Sequence, residues 1–176
     1  MKAFEYSSAR TLDEAIGLLG ANARALAGGT DLLTLMKADL QHPERLVDIK
    51  RLAGLSRHVE ENGDGLVVGA LATLSEIGAH RAVRARYRAL AQAAEAAATP
   101  QLRNMATAGG NLLQRPRCWY FRNRRIDCWL KGGTACPARE GENREHALFG
   151  DGPCLAVHPS DPATALLAFD ADVQLI

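Results

Sequence analysis

Apolar positions along this chain change period near Gly54. Before it, short apolar runs alternate with helical spacing. Ala3 to Tyr6 reads as a short strand, and Thr11-Leu12-Asp13-Glu14 as a capping box with Thr11 at the N-cap. Ala15, Ile16, Leu18 and Leu19 then give one helix face, ended by Gly20. Ala23 to Ala27 is a small-residue strand leading into Gly28-Gly29-Thr30-Asp31. A helix follows whose buried side is Leu32, Leu33, Leu35 and Met36, and beyond Pro43 a strand covers Leu46 to Ile49. Strand, helix and strand in alternation predict a small sheet with parallel pairings and right-handed crossovers.

After Gly54, Arg57 to Glu61 and Leu66 to Gly69 flank Asn62-Gly63-Asp64-Gly65, a hairpin signal. Thr73-Leu74-Ser75-Glu76 is a second capping box opening a short helix. An alanine-dense helix is expected over Tyr87 to Ala98, closed by Thr99-Pro100. Ala147 to Phe149 and Leu155 to Val157 read as strands returning to the sheet. Pro162 sits in the first turn of a helix reaching about Phe169, and Asp172 to Ile176 starts a last strand. That strand has no following hairpin partner, so the sequence reads as a fragment or as the first part of a subunit. The predicted division is a small α/β lobe over 1–55 and a larger lobe over 56–176, with a cysteine-bearing loop at about 114–154.

Composition narrows the class. Hydrophobic residues at 47% and charged residues at 23% give an ordinary globular balance, and no apolar run approaches the ~20 residues of a bilayer span. A net charge of +1 argues against nucleic-acid binding driven by bulk charge. The first residues lack the basic and apolar regions of a secretory signal, which makes a cytoplasmic location the expectation.

Two features carry candidate chemistry. Consecutive glycines at 28–29 and 109–110 let main-chain amides converge on an anion, and a following helix adds its positive end. A plain tight turn is the alternative. Neither turn matches the Gly-x-Gly-x-x-Gly of a dinucleotide fold or a P-loop. Cys118, Cys128, Cys136 and Cys154 have nine, seven and seventeen residues between them. That is neither a zinc ribbon nor a compact ferredoxin run, and spacing alone leaves metal ligands, buried thiols and unrelated thiols open. The run Arg115-Pro116-Arg117-Cys118-Trp119-Tyr120-Phe121-Arg122 reads either as a nucleic-acid platform or as a loop packed on a cofactor or partner, and the near-neutral charge favours the loop. His146 and His158 read as structural or solvated. Ser160-Asp161-Pro162 is an N-cap, with a carboxylate that could alternatively receive ribose hydroxyls.

Leu26-Ala27-Gly28-Gly29-Thr30-Asp31-Leu32-Leu33, Leu66-Val67-Val68-Gly69-Ala70, Arg103 through Asn111 and His158-Pro159-Ser160-Asp161 occur in the order found in one family. Over essentially its whole length the chain resembles the FAD-binding subunit of molybdenum hydroxylases, the group of xanthine dehydrogenase, carbon monoxide dehydrogenase and aldehyde oxidoreductase. Arg117 to Arg122, Cys136-Pro137-Ala138 and Gly141 to Ala147 resemble the branch with an inserted [4Fe-4S] cluster, of aldehyde oxidoreductase or 4-hydroxybenzoyl-CoA reductase type.

The resemblance implies an α+β, two-lobed FAD-binding domain of the vanillyl-alcohol oxidase and p-cresol methylhydroxylase type, without the family's C-terminal domain. It implies FAD held by Leu26, Ala27, Gly28, Gly29, Thr30, Asp31 and Leu32 and by Thr107, Gly109, Gly110 and Asn111, through main-chain amides at the diphosphate. Asp161 would reach the ribitol or ribose, with Thr99 and Arg103 near the cofactor. Cys118, Cys128, Cys136 and Cys154 would hold the [4Fe-4S] cluster. The expected function is electron transfer from molybdenum and [2Fe-2S] subunits through FAD to an external acceptor, in the cytoplasm or, carried by a partner subunit, in the periplasm. An assembly domain with a four-cysteine zinc site and no flavin is the alternative.

Overall fold

The structure, a computed structural model, describes residues 1–175. Two compact units divide the chain differently from the expected lobes. One joins Met1–Lys2, Asp31–His42 and Gln114–Pro159, and is called the cysteine unit below. The other, the scaffold unit, takes Ala3–Thr30, Pro43–Leu113 and the chain from Ser160.

In the scaffold unit, β1 (Glu5–Ser8), β3 (Arg45–Asp48) and β2 (Ala23–Leu26) lie side by side in that order, all parallel. The alternation of strand and helix produces the expected parallel sheet. Val47 of the central strand is fully buried with Ala9, Ala15, Ala23 and Leu52. The connecting helix α1 (Leu12–Leu18) buries Ala15 but leaves Ile16 59% exposed, so its core face is narrower than the sequence pattern implied. Thr11 caps α1 by accepting from the Glu14 amide, while Glu14 accepts from the amide of Arg10 instead of closing the box on Thr11.

A second core of this unit gathers Ala72, Leu74, Ile77, Val83, Leu90, Ala91, Ala94, Ala106 and Ala165. It is built by α3 (Leu74–Ala79), α4 (Arg81–Arg86), α5 (Arg88–Ala96) and α9 (Asp161–Ala168), with the hairpin β4 (Val59–Asn62) and β5 (Gly65–Val68). Alanines at helical spacing let helices approach closely, which is why so many core positions here are small. The Thr73–Glu76 capping box of α3 is complete in both directions. Gly63 takes the positive φ of 57° that the two-residue hairpin loop requires. Between α5 and α9 lie α6 (Pro100–Arg103) and α7 (Ala108–Leu112).

The cysteine unit contains α2 (Leu32–Lys37), α8 (Trp119–Arg122) and 3-10 turns at Trp129–Lys131 and Pro137–Arg139. Its apolar cluster is Leu35, Phe121 and Cys128, flanked by Leu40, Cys118 and Leu130. The strands expected at Ala147 to Phe149 and Leu155 to Val157 do not form. Among the described residues one backbone hydrogen bond, Ala147 N–H to the Leu155 carbonyl at 2.9 Å, joins these stretches, and Leu148 and Phe149 are exposed. Each apolar stretch is three residues long and Gly150, Gly152 and Pro153 interrupt them, so no ladder can propagate. Asp172 to Leu175 is likewise not a strand, and Ile176 lies outside the described residues.

Candidate functional site: two glycine turns and a group of thiols

The first glycine turn leaves the carboxyl end of edge strand β2. A Cβ on Gly28 would stand 1.8 Å from the Met105 carbonyl oxygen and 3.3 Å from Ala106 Cα, and Gly29 has φ of 72°. Only glycine permits that approach and that backbone. The contact brings the turn against the chain that enters the second glycine turn. Among the described residues, the amides of Gly28 and Gly29 donate to no protein acceptor. Two half-buried amides left open at one turn are an anion-binding arrangement.

The second turn is wired differently. Ala108 N–H donates to Ala72 O at 2.8 Å and Gly109 N–H to Ala70 O at 2.9 Å. Gly110 N–H donates to Thr107 Oγ1 at 3.2 Å, and Asn111 N–H to Thr107 O at 2.8 Å. Of the amides expected to serve a diphosphate, those of Gly109, Gly110 and Asn111 are thus already used by the protein. Thr107 is a buried N-cap, and Gly109 allows close passage of Ala70. The helices after the two turns have six and five residues, too short for much terminal dipole.

Other expected residues find structural partners. Thr99 caps α6, accepting from the Leu102 amide at 3.4 Å. Arg103 donates to the carbonyls of Ala97 and Ala98 at 3.1 and 2.9 Å, holding a bend where Ala98 has φ of 51°. Asp161 opens α9 and is exposed. Ser160, buried at its N-cap, donates to Asn111 Oδ1 at 2.5 Å and accepts from Ala163 N–H at 3.0 Å. This link between the second turn and α9 was missed in the sequence, where Ser160 read only as a cap.

In the cysteine unit, Asp31 has a structural use that its place in the glycine motif concealed. Its carboxylate accepts from Arg115 N–H and from the Arg122 guanidinium, each at 2.8 Å. Arg122 also donates to the carbonyls of Pro116 and Arg115. Arg115 and Arg122 lie over the buried ring of Phe121 at 5.3 and 5.8 Å. The basic, aromatic run therefore spends Phe121 and Arg122 on its own fold, which removes them as a stacking platform for nucleic acid.

All four cysteines are free thiols of this one unit, Cys128 and Cys136 buried, Cys118 and Cys154 half-buried. Burial pushes the Cys154 thiol up, the Ala156 amide opposes this, and the charges of Cys136, Cys128 and Cys118 push it further up. The thiols are therefore electrostatic neighbours. Yet among the described residues no three cysteine, histidine or acidic side chains close on a metal position. The two observations differ in range: charge is felt across many ångströms, whereas a metal–sulfur bond is about 2.3 Å. The four thiols lie in one unit and form no coordination shell among the described residues. Four free thiols in one unit with little apolar core are nonetheless the donor chemistry that an iron-sulfur cluster requires.

Comparison with known proteins decides the family. FAD binding domain in molybdopterin dehydrogenase is the family description that matches residues 2–176. The chain belongs to that family. It is 43% identical over its whole length to the aldehyde oxidoreductase FAD-binding subunit PaoB of Escherichia coli K12, covering 56% of that protein. It is 40% identical to the carbon monoxide dehydrogenase medium chain of Hydrogenophaga pseudoflava, over 62% of this chain and 39% of that one. Carbon monoxide dehydrogenase from that organism superimposes with a TM-score of 0.59 at 40% identity, over 62% of this chain and 39% of the other. Quinoline 2-oxidoreductase of Pseudomonas putida 86 gives 0.59 at 31% identity, over 63% and 39%. The chain thus spans about half or less of the relatives it matches. The molybdopterin dehydrogenase domain explains the mixed helix and strand. No helix among the described residues is long and apolar enough to cross a membrane.

Proposed function

We propose that this chain is the FAD-holding part of a molybdenum hydroxylase complex and passes electrons that arrive from molybdenum and [2Fe-2S] partner subunits to an external acceptor. Family membership supports the flavin, and the open amides of Gly28 and Gly29 carry its placement. Those amides receive the diphosphate, with Leu26, Ala27 and Thr30 shaping the turn. Thr107, Gly109, Gly110 and Asn111 form a prefolded wall instead of donating amides. Asp161 stands at the exposed start of α9 for a sugar hydroxyl, while Thr99 and Arg103 fix the backbone. The arrangement is read as the two-lobed domain of vanillyl-alcohol oxidase type. When bound, FAD supplies the means to accept two electrons and release them singly or together. The chain binds, orients and shields it.

Cys118, Cys128, Cys136 and Cys154 are read as ligands of a [4Fe-4S] cluster, the fit resting on four free thiols in one unit. Relatives named as FAD subunits and medium chains support heteromeric assembly. Leu148 and Phe149, 92% and 93% exposed in the cysteine unit, suit a surface that a partner covers. The complex is assigned to the cytoplasm, or to the periplasm if a partner subunit carries it there.

The test is a visible spectrum of anaerobically purified protein with flavin, iron and acid-labile sulfide assays. Flavin bands over a broad iron-sulfur shoulder, the shoulder lost in Cys128→Ser, are expected. A colourless protein containing zinc would contradict both cofactors. Iron-sulfur without flavin would overturn the FAD assignment to this chain alone.

A further inference from the structure

We propose that His146 is a positioning residue for the iron-sulfur group, aiming an Nε2–H at the Cys118 sulfur and so setting the reduction potential of a cluster held there. The inference rests on the cluster reading above.

His146 Nε2 stands 3.2 Å from Cys118 Sγ, and the residue is 8% exposed. A thiolate that holds a metal has no proton to give, so this contact then has Nε2 as donor and sulfur as acceptor. That places a proton on Nε2. Nδ1 is buried with no hydrogen-bond partner among the described residues. Burying an unsatisfied ring nitrogen costs stability, so packing alone gives no reason to keep a histidine at this position.

The surroundings hold the ring to that aim. Trp119, the residue after Cys118, meets it edge-to-face with centroids 5.0 Å apart and planes at 83°. Tyr120 lies at 6.1 Å, and its hydroxyl occupies the space that a Cβ on Gly141 would need. His146 N–H donates to Asn143 O at 2.9 Å, and Asn143 Nδ2 donates to Ala138 O at 3.0 Å, two residues past Cys136. The histidine is thus tied to two of the cysteine-bearing segments. Ligand orientation and tuning by such outer partners is the common pattern at metal sites.

An N–H directed at a ligand sulfur favours the more negative, reduced state over the oxidised one, and so raises the potential. No proton moves, and one electron from the reductant is the whole charge change.

The experiment compares wild-type protein, His146→Phe and His146→Gln, purified anaerobically and reduced with dithionite in an EPR-monitored redox titration. Iron and sulfide are assayed in each. His146→Phe should keep the iron and titrate at a more negative potential, with His146→Gln, which retains a donor, between it and wild type. In wild-type protein labelled with [15N]histidine, the reduced cluster should show a weak 15N coupling by pulsed EPR, and His146→Phe should lose it. Should His146→Phe lose its iron, the coupling in wild type and the potential of His146→Gln decide. Equal potentials, or no 15N coupling in iron-loaded wild type, would overturn the role of His146. Wild-type protein without iron and sulfide would instead overturn the cluster reading itself.

Discussion

The glycine turns of the scaffold unit and the thiols of the cysteine unit are held by opposite means. Around the turns the work is done by main chain: β2 leads into Gly28, Met105 packs on it, and Thr107 and Ala108 to Asn111 are stitched to their neighbours. Two apolar cores back that region. The cysteine unit has a much smaller apolar cluster, and side chains reach over long stretches of sequence to fold it. Asp31 binds residues 84 and 91 positions away, and the Lys131 ammonium donates to the carbonyls of Tyr120 and Asn123. A region built this way depends on a few polar links. On the proposed reading, the first glycine turn is preformed for the flavin, whereas the thiol site is completed by a cluster.

The sharpest way to break this contrast is Asp31→Ala. It leaves the half-buried Arg122 without its carboxylate and Arg115 N–H without an acceptor, and should destabilise the cysteine unit by about 1.5–3 kcal/mol. Limited proteolysis is expected to cut within 114–159 first, with iron content falling in parallel. Cutting in the scaffold unit first would contradict the division. Gly28→Ala comes next, because its methyl would meet backbone rather than a movable side chain. A loss of about 1–3 kcal/mol in urea unfolding is expected, together with weaker FAD retention. Gly17→Ala, in α1 with nothing within 4 Å of the added carbon, is the matched control and should stabilise by about 0.5–1 kcal/mol.

A smaller effect separates the sheet from both sites. Burial pushes Asp48 up, but hydrogen bonds from Lys50 and Tyr6 and the Lys50 charge outweigh it and hold the carboxyl below its usual range. Its contribution to stability is complete above the unfolded carboxyl value of about 3.9 and drains away as pH falls through the lower folded value. Acid unfolding of the scaffold unit below about pH 4 should therefore be shallower in Asp48→Asn. An acid limb as steep as wild type would remove Asp48 from the explanation.

Local chemistry made much of the scaffold legible. Thr73 and Glu76 form the capping box that their spacing announces, Gly63 turns the hairpin, and Ser160 caps α9. The first glycine turn needs both glycines, one for a close approach and one for its positive φ. In the second, Thr107 takes the amides of Gly110 and Asn111 locally, but those of Ala108 and Gly109 go to distant Ala72 and Ala70, which no local pattern reports. Asp31 was assigned to the flavin from its motif, and only the tertiary contact with Arg115 and Arg122 reveals its structural bond. His146 read as an ordinary structural histidine. Its neighbour across 28 residues, Cys118, is what changes that, and the nearest available signal was its position among the cysteines.

The most direct test of the contrast is hydrogen exchange by mass spectrometry on iron-loaded protein and on the same protein stripped anaerobically with a chelator. Protection should fall across residues 114–159 and persist in β3, α3 and α5. Equal loss in both units, or no change within 114–159, would contradict the proposal that a cluster completes the thiol region while the glycine turns stand on their own.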